Sequence, residues 1–412
     1  MKFNKVGQVS LVSAIALILA STFTACAPLT IDYLFVAGNK ENPGQIQTFE
    51  VDRVSGALNQ ANTPVSSGAQ GSSPVSEASS VDFNHLYVAN QGTDSIVEFT
   101  IGSGGALTST ATTTLSSEGN TPVAIAMNTA GTLLYVVNQY QPGCSTATTG
   151  AKTCNGGALA VFPVSSSGAL GSPVANGSLS YFPVGVNPTA VCALPSGAAV
   201  YVTTYDPNAG NGYVYGFSAT TAGALTSIAG NATTLPGTPF FAGVKPSGIA
   251  TSSVSRFVYV TDFAQNELIA YSILDGGVLH PLINGPFKTG NQPTAITIDP
   301  RGTFIYVTNG LDNTVSAYDI DLATGTPSAA VATSGTGTNP TGTEPVAVLV
   351  DTGFGRYVYT ANFLDNSITG FLLNSSTGVL TGTQNGPYPS IGQPTALVTI
   401  PHGNHSIQIN QP

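Results

Sequence analysis

The chain has 412 residues, with 10 Lys and Arg against 20 Asp and Glu, a formal net charge of −10, and only 7% of it is charged. Nucleic acid requires clustered Lys and Arg to neutralise phosphates, so this balance excludes nucleic-acid partners and argues against a highly anionic substrate. The 42% hydrophobic content and 47 glycines fit many short strands joined by tight turns, and no long segment beyond the first 26 residues has helical periodicity.

Lys2 and Lys5 precede a run of apolar or small residues over 9–23. At about 15 residues the run is short of the ~20 that a spanning helix needs, so residues 1–25 read as a signal peptide. It ends in Phe23-Thr24-Ala25-Cys26, which resembles the bacterial lipobox and implies that Cys26 is lipidated, with residues 26–30 as a tether to a membrane. Phe23 departs from the usual leucine, so periplasmic or secreted release stays open. Ala27 and Pro28 follow with no aspartate, as in lipoproteins sent to an outer membrane. Without Lys2 and Lys5 the chain keeps 8 basic residues against 20 acidic ones, a net charge of −12.

Seven short strands then recur, each an aromatic residue with Val or Thr running into a polar or small stop. They are Phe35-Val36-Ala37-Gly38, Tyr87-Val88-Ala89-Asn90, Tyr135-Val136-Val137-Asn138, Tyr201-Val202-Thr203-Thr204, Tyr259-Val260-Thr261-Asp262, Tyr306-Val307-Thr308-Asn309 and Tyr359-Thr360-Ala361-Asn362. Their spacing runs from 47 residues (Tyr259 to Tyr306) to 66 (Tyr135 to Tyr201), one supersecondary unit per repeat. Within a repeat, an X-Pro pair opens an apolar strand such as Pro293-Thr294-Ala295-Ile296, a Pro-x-Gly turn leads into the Tyr-Val strand, and a polar turn leads into a third strand. A glycine turn with a hydrophobic pair begins the outer strand: Gly56-Ala57-Leu58, Gly105-Ala106-Leu107, Gly168-Ala169-Leu170, Gly223-Ala224-Leu225, Gly277-Val278-Leu279 and Gly378-Val379-Leu380. Four strands per unit, seven units, predict an all-β seven-bladed β-propeller over residues 31–400.

Cys144 and Cys154 bracket an insertion in the third repeat and are expected to form a disulfide, as an exported protein allows. Cys192 reads as a small buried hydrophobe. Residues 206–212 resemble a calcium loop faintly, but the downstream acidic ligand is missing, and a mobile connecting loop is expected instead. The Asn and Asp residues after the Tyr-Val strands, Asn90, Asp94, Asp312, Asn313, Asp365 and Asn366, are expected to form turns with their own backbone. The sequence carries no metal or cofactor signature.

The chain enters at a Tyr-Val-type strand with no inner strand before it, and its missing partner is Gln393-Pro394-Thr395-Ala396-Leu397-Val398-Thr399-Ile400. Placing N- and C-terminal strands in one blade closes the ring and removes the open sheet edges. In the tail over 401–412, residues 401–410 copy the stretch 300–309. The tail is either a vestigial eighth start or a segment that adds to, or competes with, the strand Leu34-Phe35-Val36.

The Tyr-Val-Thr-Asn strands, the Pro-led inner strands and the phrase Ile46-Gln47-Thr48-Phe49-Glu50-Val51-Asp52-Arg53-Val54-Ser55-Gly56-Ala57-Leu58 resemble the seven-bladed lactonase family, which includes 6-phosphogluconolactonases, and the YVTN repeats of surface-layer propellers. The resemblance implies the fold over residues 31 to about 400. It would also imply a histidine opening an inner strand, an arginine after an Asp-bearing turn and a glutamate closing a Tyr-Val strand. Here the inner strands open with Thr121, Asn187, Lys245, Gln292, Glu344 and Gln393; Gln265-Asn266-Glu267 follows Asp262, Gly310 follows Asn309 and Phe363 follows Asn362. The histidines lie elsewhere: His85 before a Tyr-Val strand, His280 in an outer loop, His402 and His405 in the tail.

The residues that precede the inner-strand prolines, Ser73, Thr121, Asn187, Lys245, Gln292, Glu344 and Gln393, are expected to ring the mouth of the central channel. All are polar, with one cation and one anion two blades apart. They offer a cup for a small polar ligand such as a sugar or lactone, or they are solvated loop residues held extended by the proline that follows. Three functions fit: a non-catalytic lipid-anchored binding or scaffold protein of the cell envelope, acting on a small polar ligand, a glycan or an envelope protein; a lactone hydrolase with a rearranged site at the mouth; or a surface-layer or adhesive module.

Overall fold

The computed structural model describes residues 30–115, 117–144, 156–228, 239–254, 256–329 and 338–402. The signal peptide, Cys26, Cys154 and the tail beyond His402 lie outside these residues, and with them the lipidation and the disulfide pairing.

Each Tyr-Val segment is apolar on both faces, so it is stable only when sheets cover it on both sides. Leu86, Tyr87, Val88 and Ala89 are fully buried, as are Ile305, Tyr306 and Val307. The fold meets this demand with seven antiparallel sheets stacked face to face around an axis. The sixth blade shows the plan: Pro293–Ile298 innermost, then Phe304–Asn309, Thr314–Ile320 and Pro327–Ala329 outermost. In five blades the connector to the next inner strand adds a fifth short strand on the third, as Thr338–Pro340 does here. The innermost strands touch one another in sequence around the ring.

Closure is as expected. The first blade pairs Thr30–Gly38 with Pro394–Pro401 on its inner side and Gln45–Asp52 on its outer side, in a register that sets Phe35 opposite Val398 and Thr48. The described part of the tail extends this pairing. Pro401 lies opposite Asp32, and the His402 N–H donates to the Ile31 carbonyl at 2.7 Å.

The seams between blades explain two of the sequence motifs together. The hydroxyl of the Tyr-Val tyrosine donates to the carbonyl of the turn glycine in the next blade: Tyr87 to Gly168, Tyr201 to Gly277, Tyr259 to Gly325, Tyr306 to Gly378 and, across the closing seam, Tyr359 to Gly56, at 2.7 to 3.2 Å. Phe35 lacks the hydroxyl, and Thr48 opposite it reaches the Gly105 carbonyl instead, at 3.3 Å. The glycine is obligatory on two counts. At Gly378 φ is +71°, and an added Cβ would lie 2.5 Å from the Phe304 ring. Gly325 takes the same role in the sixth blade, in a turn that lacks the hydrophobic pair by which the others are recognised in the sequence.

The first blade is also flanked by two unusual carboxyls. Six inner strands place a branched aliphatic three residues after their opening proline: Ile125, Val191, Ile249, Ile296, Val348 and Leu397. The second blade has Glu77 there, 8% exposed, with neither oxygen hydrogen-bonded, and burial pushes its pKa up to about 8. At the other seam, Asp32 is fully buried with neither oxygen in hydrogen-bond geometry. Burial and then the neighbouring Asp351 carboxylate hold its pKa well above the usual range. Asp351 itself accepts the backbone N–H groups of Phe354, Gly355, Arg356 and Tyr357.

Two outcomes follow for urea unfolding. Tyr306→Phe should cost about 1 kcal/mol for the lost hydrogen bond and Tyr306→Ala about 3–5 kcal/mol for the cavity; equal costs would mean that the hydroxyl contributes nothing. For pH, the folded chain keeps a proton on Glu77 that the unfolded chain releases above about pH 4.3. Stability should therefore fall as pH rises from about 4.5 to 8, by up to about 1.4 kcal/mol per unit for this group. Glu77→Leu should flatten the slope and raise stability at pH 8; an unchanged slope would refute a buried neutral Glu77.

Candidate functional site

All seven inner strands run the same way, so their opening prolines, each buried, gather at one end of the channel. Ser73, Thr121, Asn187, Lys245, Gln292, Glu344 and Gln393 stand there as half-buried residues. Their backbone corrects one expectation. The residue before a proline is normally extended, yet Thr121, Asn187, Gln292, Glu344 and Gln393 are left-handed, with φ of +63°, +44°, +54°, +54° and +46°.

A strap from the preceding blade accompanies this conformation at four of them. The N–H of Thr121 donates to the Asp94 carboxylate, that of Gln292 to Asn266 at 2.7 Å, that of Glu344 to Asn313 at 2.8 Å and that of Gln393 to Asn366 at 2.8 Å. The acceptors sit in left-handed positions of the hairpin between second and third strands, which Asn and Asp tolerate. Asp94, Asn313 and Asn366 thus join neighbouring blades rather than serving their own turns alone. The polar stops are also not simple turn formers. Asn90 donates to the Ser67 carbonyl at 2.8 Å, and Asn309 accepts from the Gly290 N–H at 3.1 Å. Asp312 and Asp365 hold the N–H groups of Asn291 and Thr343.

A second ring at the mouth escaped the sequence reading. The residue after each polar stop donates its N–H to the carbonyl of the pre-proline residue: Tyr205 to Asn187, Phe263 to Lys245, Gly310 to Gln292 and Phe363 to Glu344, at 2.8 to 3.3 Å. The signal lies in the sequence, where aromatic residues follow the stop in three repeats, Tyr205, Phe263 and Phe363. These rings meet the mouth's cation. The Lys245 ammonium lies 4.4 Å from the Phe263 ring centroid and 5.5 Å from that of Tyr205. Lys245 and Glu344 do not form an ion pair. Beneath the mouth is a layer of hydroxyls, in which Thr189, Ser247 and Thr294 pair with Thr203, Thr261 and Thr308 at 2.8 to 2.9 Å.

The remaining candidates lie apart. The three described histidines belong to the opposite end or outer edge. His85 packs on Gly168, His402 meets the Tyr33 ring edge-on at 5.3 Å, and His280 is in the outer strand Leu279–Pro281 rather than a loop. Asp206 accepts the N–H groups of Asn208 and Ala209, an Asx turn. Cys144 is buried where the described chain stops; Cys192 is half-buried against the core between the fourth and fifth blades.

The mouth is therefore a rigid polar rim with aromatic faces, whose pre-proline ring carries Lys245 and Glu344, on a seven-bladed propeller. The model of the family described as lactonase, 7-bladed beta-propeller, matches residues 45–155 and 211–350, and the chain belongs to that family. Among solved structures, a candidate 6-phosphogluconolactonase from Bacteroides fragilis superposes with a TM-score of 0.66 at 19% identity, over 91% of this chain and 99% of that one. Another from Bacteroides uniformis gives 0.68 at 18%, over 90% and 100%. The periplasmic gluconolactonase of Pseudomonas aeruginosa gives 0.68 at 18%, over 90% and 99%. At these identities the likeness shows the fold. No curated protein sequence matches.

Asn366→Gly keeps the left-handed turn and removes the strap to Gln393. It should cost about 1 kcal/mol in urea unfolding; no measurable cost would remove the strap from this account.

Proposed function

We propose that this lactonase-family propeller is exported and held at the cell envelope by a lipid on Cys26, and that its channel mouth binds a small neutral polar ring, a sugar or a sugar lactone, without hydrolysing it. The observation that carries the binding is the cluster of Lys245, Tyr205 and Phe263. Aromatic faces suit the C–H faces of a sugar ring, and an ammonium beside them suits its hydroxyl and carbonyl oxygens. The backbone beneath is already fixed by hydrogen bonds, so little ordering is left to oppose binding. Against hydrolysis stands the absence, among the described residues at the mouth, of a histidine or a close acid and base pair to move a proton. Export is supported by the leader and lipobox-like cysteine, and by the likeness to a periplasmic gluconolactonase. Lactone hydrolysis is the second reading, favoured by family membership alone, because function does not follow from fold.

Titration calorimetry of the domain beginning after Cys26, against sugars and sugar lactones including 6-phosphogluconolactone, separates the two. Binding weakened about tenfold, the loss of ~1.4 kcal/mol of ring and cation contacts, by Phe263→Ala and by Lys245→Ala, with lactone decay at the buffer rate, is the expected result. Turnover that Lys245→Ala or Glu344→Ala abolishes would make the mouth a hydrolase, and binding that both mouth variants leave unchanged would move the ligand elsewhere.

A further inference from the structure

We infer that the end of the propeller opposite the mouth rests on a lipid bilayer, so that the mouth opens toward the surrounding solution. This rests on the lipid-anchor reading and adds to it an orientation and a contact surface.

The chain path carries the argument. Thr30, the first described residue, begins the second strand of the first blade and therefore lies at the end opposite the mouth, in a shallow concavity with Arg53, Phe354, Pro401 and His402. Only residues 27–29 separate it from Cys26. At 3.3–3.6 Å per residue, this tether reaches at most about 14 Å. A propeller whose chain emerges within that distance of the headgroups cannot turn its other end to the membrane.

The surface at that end suits such contact. The turns joining first to second and third to fourth strands form it, and their tips expose aliphatic side chains: Val54 (79% exposed), Val254 (59%), Leu322 (52%), Val81 (47%) and Leu274 (41%). Single apolar tips of this kind enter the headgroup boundary readily. All four arginines of the chain are at this end, whereas Lys40 and Lys245 are at the mouth. Arg301 is engaged with the Phe354 and Gly355 carbonyls and with Asp299. Arg53 and Arg256 are exposed, and Arg356 is half-buried. Around the chain exit, Arg53 is exposed over the Phe354 ring and Arg356 is half-buried, while the nearby Asp52 and Asp351 accept backbone N–H groups within their own turns. Asp82, Asp275, Asp319 and Asp321 lie in other blades of the same end. The charges at this end are mixed, so the apolar tips and the short tether carry the contact.

The chain contains no tryptophan, so a single substituted tryptophan reports without background. The mature lipidated protein is reconstituted into vesicles of phosphatidylcholine and phosphatidylglycerol containing brominated acyl chains. Val54→Trp and Leu322→Trp should lose at least half of their fluorescence, and Leu311→Trp and Leu364→Trp, at the mouth, should lose none. Quenching at the mouth positions, or at no position while the protein floats with the vesicles, overturns the orientation. Flotation with Cys26→Ala as control addresses the anchor separately: if the wild-type protein fails to float, or Cys26→Ala floats equally well, the anchor reading falls and the orientation with it.

Discussion

The hydrogen bond from a buried tyrosine hydroxyl to the carbonyl of a left-handed glycine in the next blade is the constraint on which this ring depends. A seam packed only by aliphatic side chains would resist separation yet permit sliding, because the hydrophobic effect has no direction. The tyrosine supplies direction. Its hydroxyl has to find a partner once buried, and the glycine carbonyl is presented only when the neighbouring turn has the right hand and height. Repeated at five seams, with Thr48 substituting beside Phe35 at a sixth, the bond fixes how far each blade is rotated against the last. Closure after seven blades follows from that rotation.

The seams beside the first blade are built differently, and the difference has a physical cost. Burying a carboxyl without a partner is unfavourable in either protonation state and far more so when it is charged. Glu77 takes a position that six sister strands give to aliphatic residues, and Asp32 faces the already committed Asp351. Both lie against the one blade assembled from the two ends of the chain. The tyrosine bond from Tyr359 to Gly56 and the pairing of Thr30–Gly38 with Pro394–Pro401 hold this blade closed.

The repeats made the architecture legible in the sequence. Strand number, blade number and the shared closing blade all follow from a period, a proline and a glycine that recur in order. The straps were not legible, because a left-handed asparagine in a hairpin looks the same whether its side chain serves its own turn or the neighbouring blade; only the ring places Asn366 beside Gln393. Nor does sequence show that Thr121 or Glu344 escapes the extended conformation that proline ordinarily imposes, since the hydrogen bond that accompanies the exception comes from 27 or 31 residues away. The aromatic rings at the mouth were visible as letters. Their meeting with Lys245 was not, because it requires blades four and five to be in contact.

These straps also bear on what the mouth can do. In a site built for proton transfer, carboxylates and amides are left free to touch substrate. Here Asp94, Asp262, Asp312 and Asp365 are occupied by backbone N–H groups, which spend their acceptors on holding loops in place. What remains uncommitted is the outward layer of Lys245, Glu344, the half-buried amides and three aromatic rings. Such a layer can recognise shape and hydrogen-bonding pattern, and it can be changed residue by residue without disturbing the ring beneath it. A fold that separates its structural polar groups from its contact groups in this way can keep its family's architecture while the chemistry at its mouth diverges.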